Sequence, residues 1–293
     1  MELVRSFADA RALYRGVVGL VPTMGYFHEG HLALMKAARQ GSDTVLVSHY
    51  VNPLQFNDPA DLEAYPRDLD RDLKLALDEG VDVFFAPPQA EMFPTPPVTS
   101  VMVSQVAQPM EGVHRPGHFT GVATVVAKLF AGLQPHLAYF GRKDAQQLAV
   151  IRRLTTDLSF PVRVLAQPTV READGLALSS RNVLLSPLDR PAALEISRGL
   201  LAASEAAEAG ETQAQQLRGI VTEHLRTAKP DYVELASQDT ALILDQVDRP
   251  AFLAVAARVG PVRLIDNIAF DLVGGQVIAD RGLRLQQPSL LYS

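Results

Sequence analysis

The sequence has no cysteine among its 293 residues. That removes disulfides, thiolate-held zinc and cysteine nucleophiles from consideration. It also lacks any uninterrupted apolar run of the ~18 residues a membrane-spanning helix needs. Its first residues hold no apolar stretch long enough for a signal peptide, so the chain is expected in the cytoplasm. No basic run interleaved with aromatics is present, and the formal net charge is −6. Both argue against a nucleic-acid partner. There is no repeat and no low-complexity segment. What is present, 47% apolar and 20% charged residues, is the composition of a folded chain with one large domain or two ordinary ones.

The most informative stretch runs from Val17 to His31. Val17 to Val21 reads as a buried strand broken by Pro22, and Thr23-Met24-Gly25-Tyr26-Phe27 as a turn. Leu32 to Arg39 has the apolar spacing of a helix, with Gly41 as its stop. A glycine turn between strand and helix is expected to leave backbone N–H groups at a positive helix end, which suits a phosphate. His28 and His31, three apart, then serve either as phosphate donors or as two solvent-facing residues of a helix start. They do not form a zinc-protease pair, which needs a spacing of about four.

Beyond this stretch, Thr44 to Val51 and Val81 to Ala86 read as strands, with helix over Asp61 to Glu79 either interrupted or entered late because of Pro66. A short helix is expected from Ser6 to Tyr14 with Ser6 as its cap. Val98 to Val103 reads as a strand and Thr120 to Leu133 as a buried helix. His136 to Phe140 is expected as a strand, Asp144 to Leu158 as a helix, and Val162 to Leu165 as the start of another strand. Strands separated by helices predict an α/β fold, a parallel sheet with helices on both faces. In such sheets ligands bind beyond the carboxyl ends of the strands. After about Asn182 the texture changes to two helices, Pro191 to Ala209 and Gln213 to Thr227, then a strand at Pro230 to Ala236. This predicts a smaller α+β domain. The expected division is 1–176 and 177–293, with the join around residues 174–188.

Four further clusters carry chemical potential. In Asn52-Pro53-Leu54-Gln55-Phe56, Gln55 offers an amide to a small polar substrate, or the segment is a proline turn with a capping amide. His114-Arg115-Pro116-Gly117-His118-Phe119-Thr120 either caps the following helix or lines a pocket. In Gly141-Arg142-Lys143-Asp144-Ala145-Gln146-Gln147, Lys143 suits a phosphate, while Asp144 suits a metal ion or a helix cap. Leu178-Ser179-Ser180-Arg181-Asn182 supplies hydroxyls and a guanidinium for a phosphate clamp, or forms a serine-rich linker.

Taken together and in this order, these stretches resemble the pantoate–β-alanine ligases of coenzyme A precursor synthesis. The resemblance rests on Pro22-Thr23-Met24-Gly25 with His28-Glu29-Gly30-His31, the Asn52 to Phe56 segment, Tyr65-Pro66-Arg67, Arg115 to Gly121, Gly141 to Gln147 and Ser179 to Asn182. A His-x-Gly-His motif alone would indicate only the wider nucleotidyltransferase group. The resemblance implies a Rossmann-like ATP- and pantoate-binding domain, a small C-terminal domain that closes over it, and a homodimer. It implies that pantoate and β-alanine are condensed to pantothenate through a pantoyl adenylate, with release of pyrophosphate and AMP and with magnesium in attendance.

By the same resemblance ATP would be bordered by Pro22, Thr23, Met24, Gly25, Tyr26, Phe27, His28, Glu29, Gly30 and His31. Gly141, Arg142, Lys143, Asp144, Val170, Leu178, Ser179, Ser180 and Arg181 would complete its site. His28, His31, Lys143, Ser179, Ser180 and Arg181 would act in catalysis. Gln55, Gln147, Arg115 and His118 would bind pantoate or β-alanine. Ser48-His49-Tyr50 departs from the family's more apolar entry to the Asn-Pro turn, and Phe27 and Leu178 are packing variants. Strand alternation alone leaves His49 pointing either into the core or into the site. The rival readings are a nucleotidyltransferase of another cofactor pathway and a non-catalytic module that senses ATP.

Overall fold

The computed structural model describes residues 1–292 and leaves the last residue of the expected second domain, Ser293, outside the described residues. In chain order the helices are α1 (Phe7–Ala12), α2 (Glu29–Gly41), α3 (Pro59–Glu63), α4 (Leu69–Asp78), α5 (Gln89–Met92), α6 (Glu111–His114), α7 (His118–Leu133), α8 (Ala145–Asp157), α9 (Arg190–Glu208) and α10 (Ala214–His224). The first strands are β1 (Glu2–Val4), β2 (Val18–Thr23), β3 (Thr44–His49), β4 (Val83–Phe85), β5 (Leu137–Gly141) and β6 (Arg163–Gln167). They are followed by β7 (Val170–Arg171), β8 (Lys229–Ser237), β9 (Ala251–Val259), β10 (Val262–Val273), β11 (Gln276–Asp280) and β12 (Leu283–Arg284). No helix among the described residues is long and apolar enough to cross a membrane.

The chain forms two compact units. The first comprises Met1–Ala107, Arg115–Phe140 and Val150–Gln167. Its centre is a six-stranded sheet in the order β1-β4-β3-β2-β5-β6, with β1–β4, β4–β3, β3–β2 and β2–β5 paired in parallel. The strands are apolar on both faces: Leu20, Val21, Val45, Leu46, Val47, Phe84 and Phe85 are all fully buried. That is the pattern of strands covered on both sides. The chain builds outward from β2 through β3 and β4, then returns to the other side of β2 with β5. This reversal of strand order places the turn after β2 where ligands of open α/β sheets bind.

The second unit comprises Gln108–His114, Gly141–Ala149 and the chain from Pro168 onward. Its antiparallel sheet has the order β11-β10-β9-β8. Helices α9 and α10 pack with it around Leu200, Leu217, Leu235, Leu253, Val255 and Phe270, all fully buried. Pro191 sits in the first turn of α9, where its missing N–H removes no helical bond.

The α/β architecture with a smaller C-terminal α+β part is as expected, and Ser6 caps α1 by accepting the Asp9 N–H. The expected strand at Val98 to Val103 does not form. Val98 is fully exposed and the Val101 N–H bonds the Thr124 hydroxyl instead of a ladder, so strand propensity without burial or a pairing partner leaves the segment irregular. The helix expected over Asp61 to Glu79 is two, α3 and α4. Arg67 spans the break, donating to the carbonyls of Leu62, Glu63 and Tyr65.

Candidate active site

In the first unit, Gly25 (φ 85°) and Tyr26 (φ 54°) turn the chain sharply between β2 and α2. A side chain at Gly25 is excluded twice: by the positive φ, and because its Cβ would lie 2.3 Å from Nε2 of His49. His28 is the N-cap of α2, its Nδ1 accepting from the Gly30 N–H at 3.1 Å. His31 Nδ1 accepts from the His28 N–H at 3.3 Å in return. This reciprocal capping box uses imidazoles where Ser and Glu are usual. An imidazole that accepts at Nδ1 carries its proton at Nε2, so the box fixes both rings as Nε2–H donors.

The same network revises the expectation that the turn offers open backbone donors. The N–H groups of Tyr26 and Phe27 both bond the Asp72 carboxylate, at 2.6 and 2.7 Å. Those of His28, Gly30 and His31 are taken within the capping box and first helical turn. These N–H groups hold the turn in place, and His28 and His31 add side-chain donors to it.

The Asn52 to Phe56 segment forms a single turn at Pro53–Gln55. Asn52, buried, accepts from the Leu54 N–H and donates to Gln55 Oε1 at 2.9 Å and to the Gly121 carbonyl at 3.1 Å. Gln55, half-buried, accepts this bond at Oε1, and its amide nitrogen carries two N–H donors. Arg115 and His118 join the same cluster: His118 Nδ1 lies 2.9 Å and Arg115 Nη2 3.3 Å from the Gln55 carbonyl oxygen. Arg115 Nη1 is 3.1 Å from His118 Nε2. The absence of a side chain at Gly121 makes this possible, since a Cβ there would sit 2.1 Å from the Leu54 carbonyl. Gln55, Arg115 and His118 are thus brought together, with the latter two gripping the Gln55 backbone.

In the second unit, Arg142–Asp144 is a single 3-10 turn ahead of α8. Asn267 on β10 donates to the carbonyls of Arg142 at 2.9 Å and Lys143 at 2.7 Å. Its neighbour Asp266 binds the buried Arg171 guanidinium through both oxygens, at 2.6 and 3.1 Å. Among the described residues, the ion-pair contact of Lys143 Nζ is a loose one with Asp144, 3.9 Å away. Gln146 points inward, accepting the Glu111 N–H and donating to the Pro109 carbonyl. Gln147, one residue on, projects to a different side of α8 and is half-buried.

Ser179 to Arg181 belong to a second 3-10 turn, spanning Ser180–Leu184 and capped by the Ser179 hydroxyl. Leu178 is fully buried and its N–H bonds the Val170 carbonyl, placing these two positions side by side. Asn182 secures the turn by donating to Glu172 at 2.7 Å and to the Ala177 carbonyl at 3.1 Å. Glu172 also receives Arg190 at 2.6 Å and the Tyr292 hydroxyl at 3.0 Å. Burial first, and the Glu172 charge second, push the Tyr292 phenol up to about 12. Arg181, half-buried, has no ion-pair partner among the described residues.

Three of the candidate loops are therefore held by a buried polar group from outside the motif: Asp72, Asn267 or Glu172. Motif reading missed all three. For Asp72 the signal exists: positions 69, 72, 73 and 76 form the inward face of α4, and Asp72 is the one charge on it. No comparable signal marks Asn267, which lies in an apolar strand far along the chain.

Comparisons with known proteins bear on this arrangement. A family model described as pantoate-beta-alanine ligase matches residues 1–269. A pantothenate synthetase of Roseiflexus castenholzii is 52% identical over 267 residues, covering 90% of this chain and 96% of the relative. The crystal structure of pantothenate synthetase from Thermus thermophilus superposes with a TM-score of 0.87 at 48% identity, over 91% of this chain and 98% of that one. A pantoate-beta-alanine ligase from Francisella tularensis, solved with beta-gamma ATP and beta-alanine, gives a TM-score of 0.74 at 32% identity, over 91% and 97% of the two chains.

Proposed function

This chain belongs to the pantoate–β-alanine ligase family, and from that premise we propose that it condenses pantoate with β-alanine by way of a pantoyl adenylate. A carboxylate oxygen of pantoate attacks the α-phosphorus of ATP, and the bond to the bridging oxygen of pyrophosphate breaks. The β-alanine amine then attacks the acyl carbon, loses a proton, and AMP leaves with the former carboxylate oxygen. Adenylation needs no general base, because the pantoate carboxylate is ionised at neutral pH. It needs fixed donors where negative charge moves onto phosphate oxygens.

The observation that carries this reading is the imidazole capping box, which makes His28 and His31 Nε2–H donors on a turn tied to the buried Asp72 carboxylate. In the first unit the reading assigns residues 22–31 to ATP and the Gln55 amide, with Arg115 and His118, to the carboxylate and hydroxyls of pantoate or to β-alanine. In the second it assigns Lys143, Ser179, Ser180 and Arg181 to the phosphates. Gly141, Arg142, Asp144, Val170 and Leu178 go to the rest of the nucleotide, and Gln147 to pantoate. Residues 1–176 form the ATP- and pantoate-binding part in this reading, and 177–293 the closing part.

Magnesium enters the proposal as a companion of ATP. No group of three or more His, Asp or Glu among the described residues is arranged to hold a metal ion. The reading places the ion on the phosphates with its own waters, the usual habit of Mg²⁺. Cytoplasmic location and a homodimer complete the proposal, on the strength of the family resemblance.

The test is exchange of labelled pyrophosphate into ATP, with magnesium present and β-alanine absent. Exchange that requires pantoate supports the adenylate step; no exchange from a folded, ATP-binding sample sinks it and favours the ATP-sensing reading.

A further inference from the structure

His49 ends β3, and its side chain is 13% exposed. Its Nε2 lies 3.0 Å from Asp72 Oδ2, the oxygen that also accepts the Tyr26 N–H. The imidazole is walled by two phenyl rings: Phe84 at 5.3 Å, tilted by 35°, and Phe27 edge-on at 6.0 Å. On the remaining side the Gly25 backbone abuts Nε2 so closely that any Cβ would collide with it. The ring thus fills the space opened by the glycine and touches the turn directly as well as through the carboxylate.

Asp72 is completely buried. Its hydrogen-bond donors are His49 and the Tyr26 and Phe27 N–H groups, and the Arg71 guanidinium is a looser ion-pair contact at 3.8 Å. A buried carboxylate holds its position only while its oxygens are satisfied. Arg71 is otherwise turned to the Phe27 carbonyl, to which it donates at 2.8 Å. His49 is the side chain that saturates Oδ2 from the sheet side. Phe27 precedes His28, the first half of the capping box, so any drift of Asp72 moves the Nε2–H donors.

We propose that His49 is a positioning residue for adenylation, orienting Asp72 and through it the Gly25-Tyr26-Phe27 turn that carries His28 and His31. The proposal rests on the adenylation reading above. Displacing a reacting group by about 1 Å costs on the order of a hundredfold in rate. Loss of the His49 bond is therefore expected to lower kcat/KM for ATP by roughly tenfold to a hundredfold.

The experiment compares the full chain with His49→Leu and His49→Gln. Pantoate-dependent pyrophosphate exchange is normalised to folded protein by the unfolding midpoint, and ATP affinity is measured by calorimetric titration. The leucine variant should lose kcat/KM by that factor, and the glutamine amide, which can still donate to Asp72, should recover most of it. Should the leucine variant not fold, His49→Asn, whose amide stops short of Asp72, takes its place. A leucine or asparagine variant equal to the parent per folded molecule overturns the proposal, as does a glutamine variant no better than leucine. A parent protein without exchange removes the adenylation reading alone. The titration then decides positioning: weaker ATP binding in the leucine variant supports it and equal binding overturns it.

Discussion

The side chain of Asn267 donates to the main-chain carbonyl of Lys143 at 2.7 Å, tying residues 124 apart in the sequence. The same amide holds the carbonyl of Arg142, so one buried side chain fixes two consecutive peptide units of the Gly141 to Asp144 loop. Neutral hydrogen bonds of this kind contribute about 1 kcal/mol each. Asn267→Ala is expected to destabilise the chain by about 2 kcal/mol. It should lower the pyrophosphate-exchange rate by roughly tenfold, because Lys143 loses its fixed base. Denaturant midpoints and exchange rates on the same preparation read both effects.

Lys143 itself is assigned to the phosphates. Removing one preorganised donor to a developing negative charge typically costs about 3 kcal/mol. Lys143→Ala should therefore slow adenylation by roughly a hundredfold or more while the unfolding midpoint stays near that of the parent. Steady-state kinetics of AMP formation check the first expectation and thermal melting the second.

Gly25→Ala combines an unfavourable backbone angle with a collision. The left-handed conformation at φ 85° costs roughly 1–2 kcal/mol with a Cβ present, and the methyl would overlap His49 Nε2 at 2.3 Å. Such overpacking adds about 1–3 kcal/mol. A loss of roughly 2–5 kcal/mol is expected in urea denaturation, together with loss of ATP binding as the turn moves. Gly141→Ala is the control: nothing lies within 4 Å of a Cβ there, so its midpoint should change little.

Stability should also depend on alkaline pH. The Tyr292 phenol is pushed up to about 12 by burial and then by the Glu172 charge, and Tyr50 is pushed up to about 12 by burial. An unfolded tyrosine titrates near 10. Between about pH 10 and about 12 the folded chain keeps protons that the unfolded chain has released, so their contribution is complete below about pH 10 and fades towards about 12. Denaturant midpoints should fall with pH across this window, and Tyr292→Phe should make the fall shallower.

Periodicity made the sheet, its helices and the change of texture after Asn182 legible, because buried parallel strands and amphipathic helices leave strong local patterns. The capping role of Ser6 was legible for the same reason. What stayed hidden was long-range. Tyr26 and Phe27 N–H groups look available from the local sequence, and only the fold brings Asp72, 45 or more residues away, onto them. His49 was ambiguous because strand alternation gives a side but no partner. The failed strand at Val98 to Val103 has the composition of a strand, but Val98 is exposed and the Val101 N–H is taken by the Thr124 hydroxyl.

The most direct test of the account follows oxygen. With ¹⁸O in both carboxylate positions of pantoate, attack on the α-phosphorus places one ¹⁸O in AMP and leaves one in the amide carbonyl of pantothenate. Mass spectrometry of AMP after complete turnover should show one heavy oxygen per molecule. AMP without label, or label appearing in inorganic phosphate, would contradict the acyl-adenylate mechanism.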